Sequence, residues 1–365
     1  MEKDMIDVTS KAMNALLPTD ILFQTSFWAQ VKARLGLHPR AFDIQAAGPE
    51  KDVLVLLKPF GKHTIAIVPQ GPEFAPPEEE YGPFIEDFSM ALAKTLGPGV
   101  AFIRYDLPWI SPYAGEMQQG GWDGFPEPRL RELRMNMGTK HWNIKKAPED
   151  MTVASSLVVD LVGSEDAMLK RMKPKTRYNI RVALRKGVTV QEGSVQDLPE
   201  FYALYQQTAL RNGFKSCGLK HFTTMFQCLV CAPGHSELLF LLAKHGSDLL
   251  AGAIVGIAGE TANFLYGASA NIKRDLMAPS LMHCTGMLQA HARGCARYEM
   301  GAVSPSDDPS HPFYGLYRFK TGFGGRIEYR TGSWDYPLIP AAYRELCNAE
   351  SVYAAYAHSD SDQQQ

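Results

Sequence analysis

Apolar residues in 24–34 recur at helical spacing, with Thr25 or Ser26 placed to cap the segment. Two apolar runs follow, 53–60 and 64–68, on either side of Gly61-Lys62, and they read as a strand pair. Helical spacing returns over 83–96 and stops at Gly97-Pro98-Gly99, after which 100–106 reads as a strand. The second half repeats this order. Strands are predicted at 236–243 and 249–257 around a His245-Gly246-Ser247-Asp248 turn, then at 262–268, then a helix over 279–292 stopped by Gly294, then a strand at 296–300. The repeated succession predicts an α/β (α+β) chain with two copies of one unit, although no residue-level repeat is visible. The expected domains are 1–150 and 151–345, with 346–365 as the end of a C-terminal helix and a mobile tail. Residues 120–150, rich in Gly, Pro and Trp, are expected to be an irregular connection.

The length of 365 residues agrees with two cores rather than one. With 45% hydrophobic and 21% charged residues the chain can bury enough apolar surface to fold, which excludes global disorder. The net charge is −2, so an anionic partner would have to meet a local patch. Apolar runs such as 53–57 and 238–243 fall far short of the roughly 20 residues a membrane helix needs. The N-terminus is charged, and the six cysteines are too thinly scattered for a disulfide framework. A cytoplasmic location is expected.

The local patch is at 170–186, where eight of seventeen residues are basic and none is acidic. Pro174 suits the first turn of a helix that ends before Gly187. On such a helix Ile180, Ala183 and Leu184 share one arc, and Lys175, Arg177, Arg181, Arg185 and Lys186 spread over the other half with Tyr178. Like charges this close repel, which points to a phosphate-bearing partner, against the alternative of a plain solvated face. A second feature runs from 304 to 325, where Phe313, Tyr314, Tyr317 and Phe319 crowd Lys320. A desolvated ammonium there could donate to a carbonyl oxygen that gains negative charge; the alternative is a surface lysine lying over an aromatic core. Asp307 and Asp308 offer a base or only a turn. Cys228-Leu-Val-Cys231 has no second pair at zinc spacing, the histidines form no ligand pattern, and no metal or cofactor is implied. The phosphate-loop and nucleophile-elbow motifs are absent.

Three segments resemble the FemABX non-ribosomal peptidyltransferases: Gln24-Thr-Ser-Phe-Trp-Ala-Gln-Val-Lys32, Lys173-Pro-Lys-Thr-Arg-Tyr-Asn-Ile-Arg181 with its following Arg185-Lys-Gly-Val188, and Tyr314-Gly-Leu-Tyr-Arg-Phe-Lys-Thr-Gly-Phe-Gly-Gly325. Residues 152–161 look like the strand that enters the family's second domain, and the resemblance spans about 20–345. It implies tandem GNAT-like acyltransferase domains, no coiled-coil arm, and transfer of an amino acid from aminoacyl-tRNA to a UDP-linked or lipid-linked peptidoglycan precursor. A lipid-linked acceptor would bring the protein to the membrane surface. By the same resemblance Lys320 and Phe319 are catalytic, and Lys32, Arg211, Tyr266, Tyr314 and Tyr317 contact the precursor. Lys173, Lys175, Arg177, Arg181, Arg185 and Lys186 then become the tRNA-binding set. Where the family can show a tyrosine shortly after that arginine, this chain reads Asn212-Gly-Phe-Lys215. The rival functions are an acyl-CoA-dependent N-acyltransferase, disfavoured because residues 274–279 contain no glycine, and a non-catalytic RNA- or precursor-binding protein.

Overall fold

The computed structural model describes residues 6–45, 50–120, 122, 124–231 and 236–348. The described residues within 1–17, 23–154 and 329–365 form one compact unit, and those within 18–22 and 155–328 form the other.

In the first unit β1 (Asp7–Lys11), β2 (His38–Gln45), β3 (Lys51–Phe60) and β4 (His63–Val68) pair antiparallel in chain order. Helix α1 (Ser26–Arg34) follows β1 in the chain, and the Thr25 side chain caps it by accepting from the Trp28 N–H. Helix α2 (Tyr81–Leu96) crosses from β4 to β5 (Val100–Ile110), which pairs parallel with β4. Ile85, Phe88 and Leu92 on α2 lie on one helical face, and this face packs on Phe42, Val55, Val68 and Ile103 of the sheet. Ile65 and Phe102 point the other way, onto Ala342 and Leu346 in the helical residues 340–348. The stretch 120–150 is more regular than its composition suggests. After α3 (Ala114–Gln118) it holds α4 (Pro128–Asn136), started by a proline at its first turn, and the short strand β6 (Lys145–Lys146).

In the second unit β7 (Ser155–Asp160) precedes α5 (Glu165–Arg171), α6 (Pro174–Arg185) and β8 (Thr189–Glu192). Helices α7 (Leu198–Asn212) and α8 (Leu219–Cys231) lead to β9 (Ser236–His245), β10 (Asp248–Ala258) and β11 (Thr261–Ser269). Helix α9 (Ala278–Ala292) then crosses to β12 (Arg297–Ala302), and α10 (Tyr314–Lys320) follows. Strands β8 to β11 pair antiparallel in chain order, β12 pairs parallel with β11, and β7 pairs antiparallel with β12. The first unit has the same plan, with the last strand, β13 (Arg326–Pro337), pairing antiparallel with β5. The repeated order read from the sequence is therefore a repeated topology. The helices α7 and α8 are 15 and 13 residues long, too short for a coiled-coil arm.

The domain boundary near 150 lies four residues from the observed one, but the expected second domain of 151–345 is too long at its C-terminal end. From Tyr329 onward the chain belongs to the first unit, because β13 pairs with β5 and the buried Asp335 carboxylate takes both Arg104 Nε (2.7 Å) and Nη2 (2.8 Å). That bidentate pair leaves neither buried charge uncompensated. The expected tail at 358–365 lies outside the described residues.

Candidate active site

Strands β11 and β12 pair only over Thr261–Asn263 against Arg297–Glu299, and then part. The register of β12 against β7 shifts between Glu299 and Ala302, and Gly301 within that shift has φ +72°. Such a bulge turns carbonyl groups away from the ladder. Lys320, at the end of α10, uses two of them: its Nζ donates to Met300 O at 2.7 Å and to Ala302 O at 2.6 Å. The side chain is 5% exposed, so the alternative of a surface lysine is excluded. Desolvation lowers its pKa from 10.5 to about 7, against a smaller opposing pull from Glu299. An ammonium has three N–H donors. Two are used here, which leaves one for a substrate oxygen; the neutral amine would have none.

Around this nitrogen the walls are aromatic. His283 is buried and packs on Phe264 (4.6 Å between centroids), Phe319 (5.5 Å) and Phe323 (5.6 Å). Burial, with the Lys320 charge adding to it, pushes the His283 pKa down to about 3, so its imidazole is neutral at physiological pH. Neither His283 nor the two carbonyls was visible as part of the site in the sequence; Gly301, directly after the predicted strand at 296–300, was the available signal of the bulge. Phe319 also lines a cavity of 230 Å³ with Asn179, Leu250, Ser269 and Met277.

The basic helix and the Lys320 segment meet. Immediately after Lys320 the turn Thr321–Phe323 accepts the Lys173 N–H at Gly322 O (2.8 Å), and Lys173 Nζ donates to Thr321 Oγ1 (3.1 Å). The glycines of this turn are there for space. A Cβ on Gly324, whose φ is +84°, would lie 2.3 Å from the Arg171 carbonyl oxygen, and one on Gly325 would lie 2.4 Å from that of Val158. Helix α6 buries Thr176, Ile180, Val182 and Ala183, whereas Leu184, assigned from the sequence to the buried arc, is 57% exposed. The packed face is rotated toward Val182.

The six cations of the predicted set differ in what they already hold. Lys173, Lys175, Arg181, Arg185 and Lys186 are exposed. Lys186 pairs with Asp275 at 2.7 Å, and Lys175 lies 5.1 Å from the Tyr178 ring. Arg177 is partly buried and turns back, Nη1 donating to Lys170 O (3.0 Å) and Met172 O (2.8 Å), where it closes the C-terminal end of α5. Arg177→Ala is therefore expected to destabilise the fold by about 1–3 kcal/mol, read from the urea midpoint, with little change in the charge offered to solvent.

The predicted precursor contacts are dispersed. Lys32 sits in the first unit, its Nζ 4.4 Å from the Trp28 ring, and all the others sit in the second. Arg211 is held by Ser269 O (2.8 Å), Ser269 Oγ (3.0 Å) and Asn271 Oδ1 (2.7 Å). The Tyr266 hydroxyl shares a 2.7 Å hydrogen bond with His221 Nε2, and burial raises its pKa. Tyr314 and Tyr317 stack nearly parallel at 6.4 Å. Asp308 accepts from the Ser310 N–H (2.9 Å) and Oγ (2.7 Å), bonds that lower its pKa, so it serves the turn. Among the described residues no cluster of His, Cys, Asp and Glu could hold a metal.

A sequence profile of the FemAB family matches residues 131–229 and 235–350. Among curated relatives, a Lipid II:glycine glycyltransferase of Staphylococcus saprophyticus is 22% identical, over 95% of this chain and 96% of its own length. One of Staphylococcus aureus is also 22% identical and covers 94% of each. A solved structure, described as the crystal structure of FemX, superposes with a TM-score of 0.71 at 18% identity, over 93% of this chain and all of that one. The chain has the fold of that structure, built from two units of one topology, and its family and relatives place it among transferases. The chain belongs to the FemAB family.

Proposed function

We propose that this protein moves an amino acid from aminoacyl-tRNA to the free amine of a peptidoglycan precursor, UDP-linked or lipid-linked, at the cytoplasmic face of the membrane. The relatives named as Lipid II:glycine glycyltransferases support the acceptor class. Among the described residues no helix is long and apolar enough to cross a membrane. The observation that carries the chemistry is the third N–H of Lys320. The acceptor amine attacks the ester carbonyl, a C–N bond forms, the carbonyl oxygen becomes an oxyanion that Lys320 stabilises, and collapse breaks the C–O bond and expels the tRNA ribose oxygen, which takes up the proton that the amine nitrogen sheds. Phe319 shapes the wall beside the lysine. Lys32, Arg211, Tyr266, Tyr314 and Tyr317 hold the precursor, and Lys173, Lys175, Arg181, Arg185 and Lys186 face the tRNA phosphates. Arg177 supports that face from beneath.

A CoA donor is disfavoured by the segment before α9. Lys273 and Met277 adopt left-handed backbone (φ +48° and +56°) without glycine. The N–H groups of Leu276, Met277 and Ser280 are spent on Lys273, Arg274 and Met277 carbonyls, and Pro279 has none. Few backbone donors remain for a pyrophosphate. Calorimetry is expected to show no acetyl-CoA binding at micromolar concentration, and transfer assays should give product with charged tRNA alone. Acyl transfer from acetyl-CoA to an amine would replace this reading.

A further inference from the structure

The first unit contains a cavity of 250 Å³ at the start of α2, on whose wall lie Glu79, Tyr113, Arg131, Arg134 and Trp334. None of the residues assigned above to the transfer reaction lies on its wall. Two buried polar groups on its wall are only partly satisfied. Arg131 is 8% exposed and lies against the rings of Phe125 (4.9 Å) and Trp334 (5.9 Å). Its Nη2 donates to Thr331 O at 3.0 Å, and among the described residues no carboxylate lies within ion-pair distance of it; Asp150, already held by Lys146, attracts it from further away. Tyr113 is also 8% exposed, and its buried hydroxyl has no partner in hydrogen-bonding geometry, although the Arg134 guanidinium lies 5.2 Å from its ring.

A buried guanidinium whose counter-charge, Asp150, lies beyond ion-pair reach and is shared with Lys146, and a buried phenol hydroxyl with no hydrogen-bond partner, each cost free energy. Both costs are relieved by one ligand, an anion that accepts from the two together. The mouth narrows the choice. Residues 78–80 are three consecutive glutamates. Glu78 is taken by Arg134, while Glu79 is exposed and, among the described residues, carries no ion pair or hydrogen bond. Acids at the rim oppose a doubly charged phosphate and favour a ligand that carries a cation beside its anion.

We infer that this cavity binds a zwitterion, a free amino acid or the carboxyl end of a short peptide, with the carboxylate on Arg131 and Tyr113 and the ammonium toward Glu79. Glycine, glycylglycine, glycylglycinamide, acetate and inorganic phosphate, titrated into the full chain by calorimetry, provide the test. Saturable binding is expected for glycine or glycylglycine, and the tighter of the two tells amino acid from peptide end. The amide should bind at least about ten-fold more weakly, because it loses the charge-assisted bonds. Tyr113→Phe should weaken the zwitterion by about ten-fold, and Arg131→Met should abolish its binding. Glu79→Gln should lower zwitterion affinity toward that of acetate and leave acetate unchanged. The assignment is overturned if neither zwitterion saturates, if the amide matches glycylglycine, if phosphate binds tighter than both, or if Tyr113→Phe and Glu79→Gln leave affinity unaltered.

Discussion

Replacing Lys320 with Met is expected to lower kcat by about 10²–10³ while the precursor KM stays within a few-fold. The expectation follows from the donor count at the bulge. Met300 O and Ala302 O hold two protons of the ammonium, and among the described residues the third has no hydrogen-bond acceptor. The ester carbonyl of the ground state is a weak acceptor, and the oxyanion of the tetrahedral intermediate is a strong one, so the bond appears in the rate rather than in binding. The same count gives a pH dependence. With a pKa near 7, Lys320 loses its spare proton as pH rises, so kcat should carry a falling limb through about 7 that is absent in the Met variant. Folding should respond in the opposite direction. Between about 7 and the unfolded value of 10.5 the unfolded chain binds the extra proton, so stability from this group rises with pH across that window and is lost as pH falls through about 7. Lys320→Met should remove that slope as well. A variant with full kcat and a raised KM would make Lys320 a binding residue. By contrast Lys32→Met should raise the precursor KM and spare kcat, as uniform binding does.

Charge reversal of Lys175, Arg181 and Arg185 to Glu should weaken tRNA binding by more than ten-fold at moderate salt. These three are exposed on α6, and none carries an ion pair among the described residues, so their positive charge is available to phosphate. Each phosphate contact releases counterions, and losing three should reduce the slope of log Kd against log salt by about 2 to 3. Arg177 is left out because its bonds to the α5 end would confound affinity with folding. Unchanged tRNA affinity in the triple variant, with circular dichroism intact, would leave α6 a solvated face.

The regular elements were legible because local rules and tertiary packing agree in them. The cap at Thr25, the stop at Gly97-Pro98-Gly99 and the turn at 245–248 each coincide with an element boundary. Other parts of the fold are decided at long range. The pairing of β13 with β5, and with it the return of residues 329–337 to the first unit, rests on contacts more than 200 residues apart, such as Arg104 to Asp335. Helix α4 was hidden by its neighbours in a stretch rich in breakers. At the site, the basic run and Lys320 stood out as side-chain chemistry, but the groups that set the lysine's pKa and direction are backbone carbonyls and a buried imidazole's surroundings, which carry no residue-type signature. Arg177 shows the reverse: a charge that looked available is already spent on two carbonyls.

The most direct measurement of the central claim is the mass of the acceptor. The protein is incubated with a mixture of charged tRNAs and, in separate reactions, a UDP-linked and a lipid-linked peptidoglycan precursor, and the products are weighed by mass spectrometry. The account predicts that one precursor gains the mass of a single aminoacyl residue on its stem-peptide amine, that the gain needs charged tRNA, and that it nearly vanishes with Lys320→Met. No gain on either precursor, or a gain that persists when the tRNA is uncharged, would contradict it.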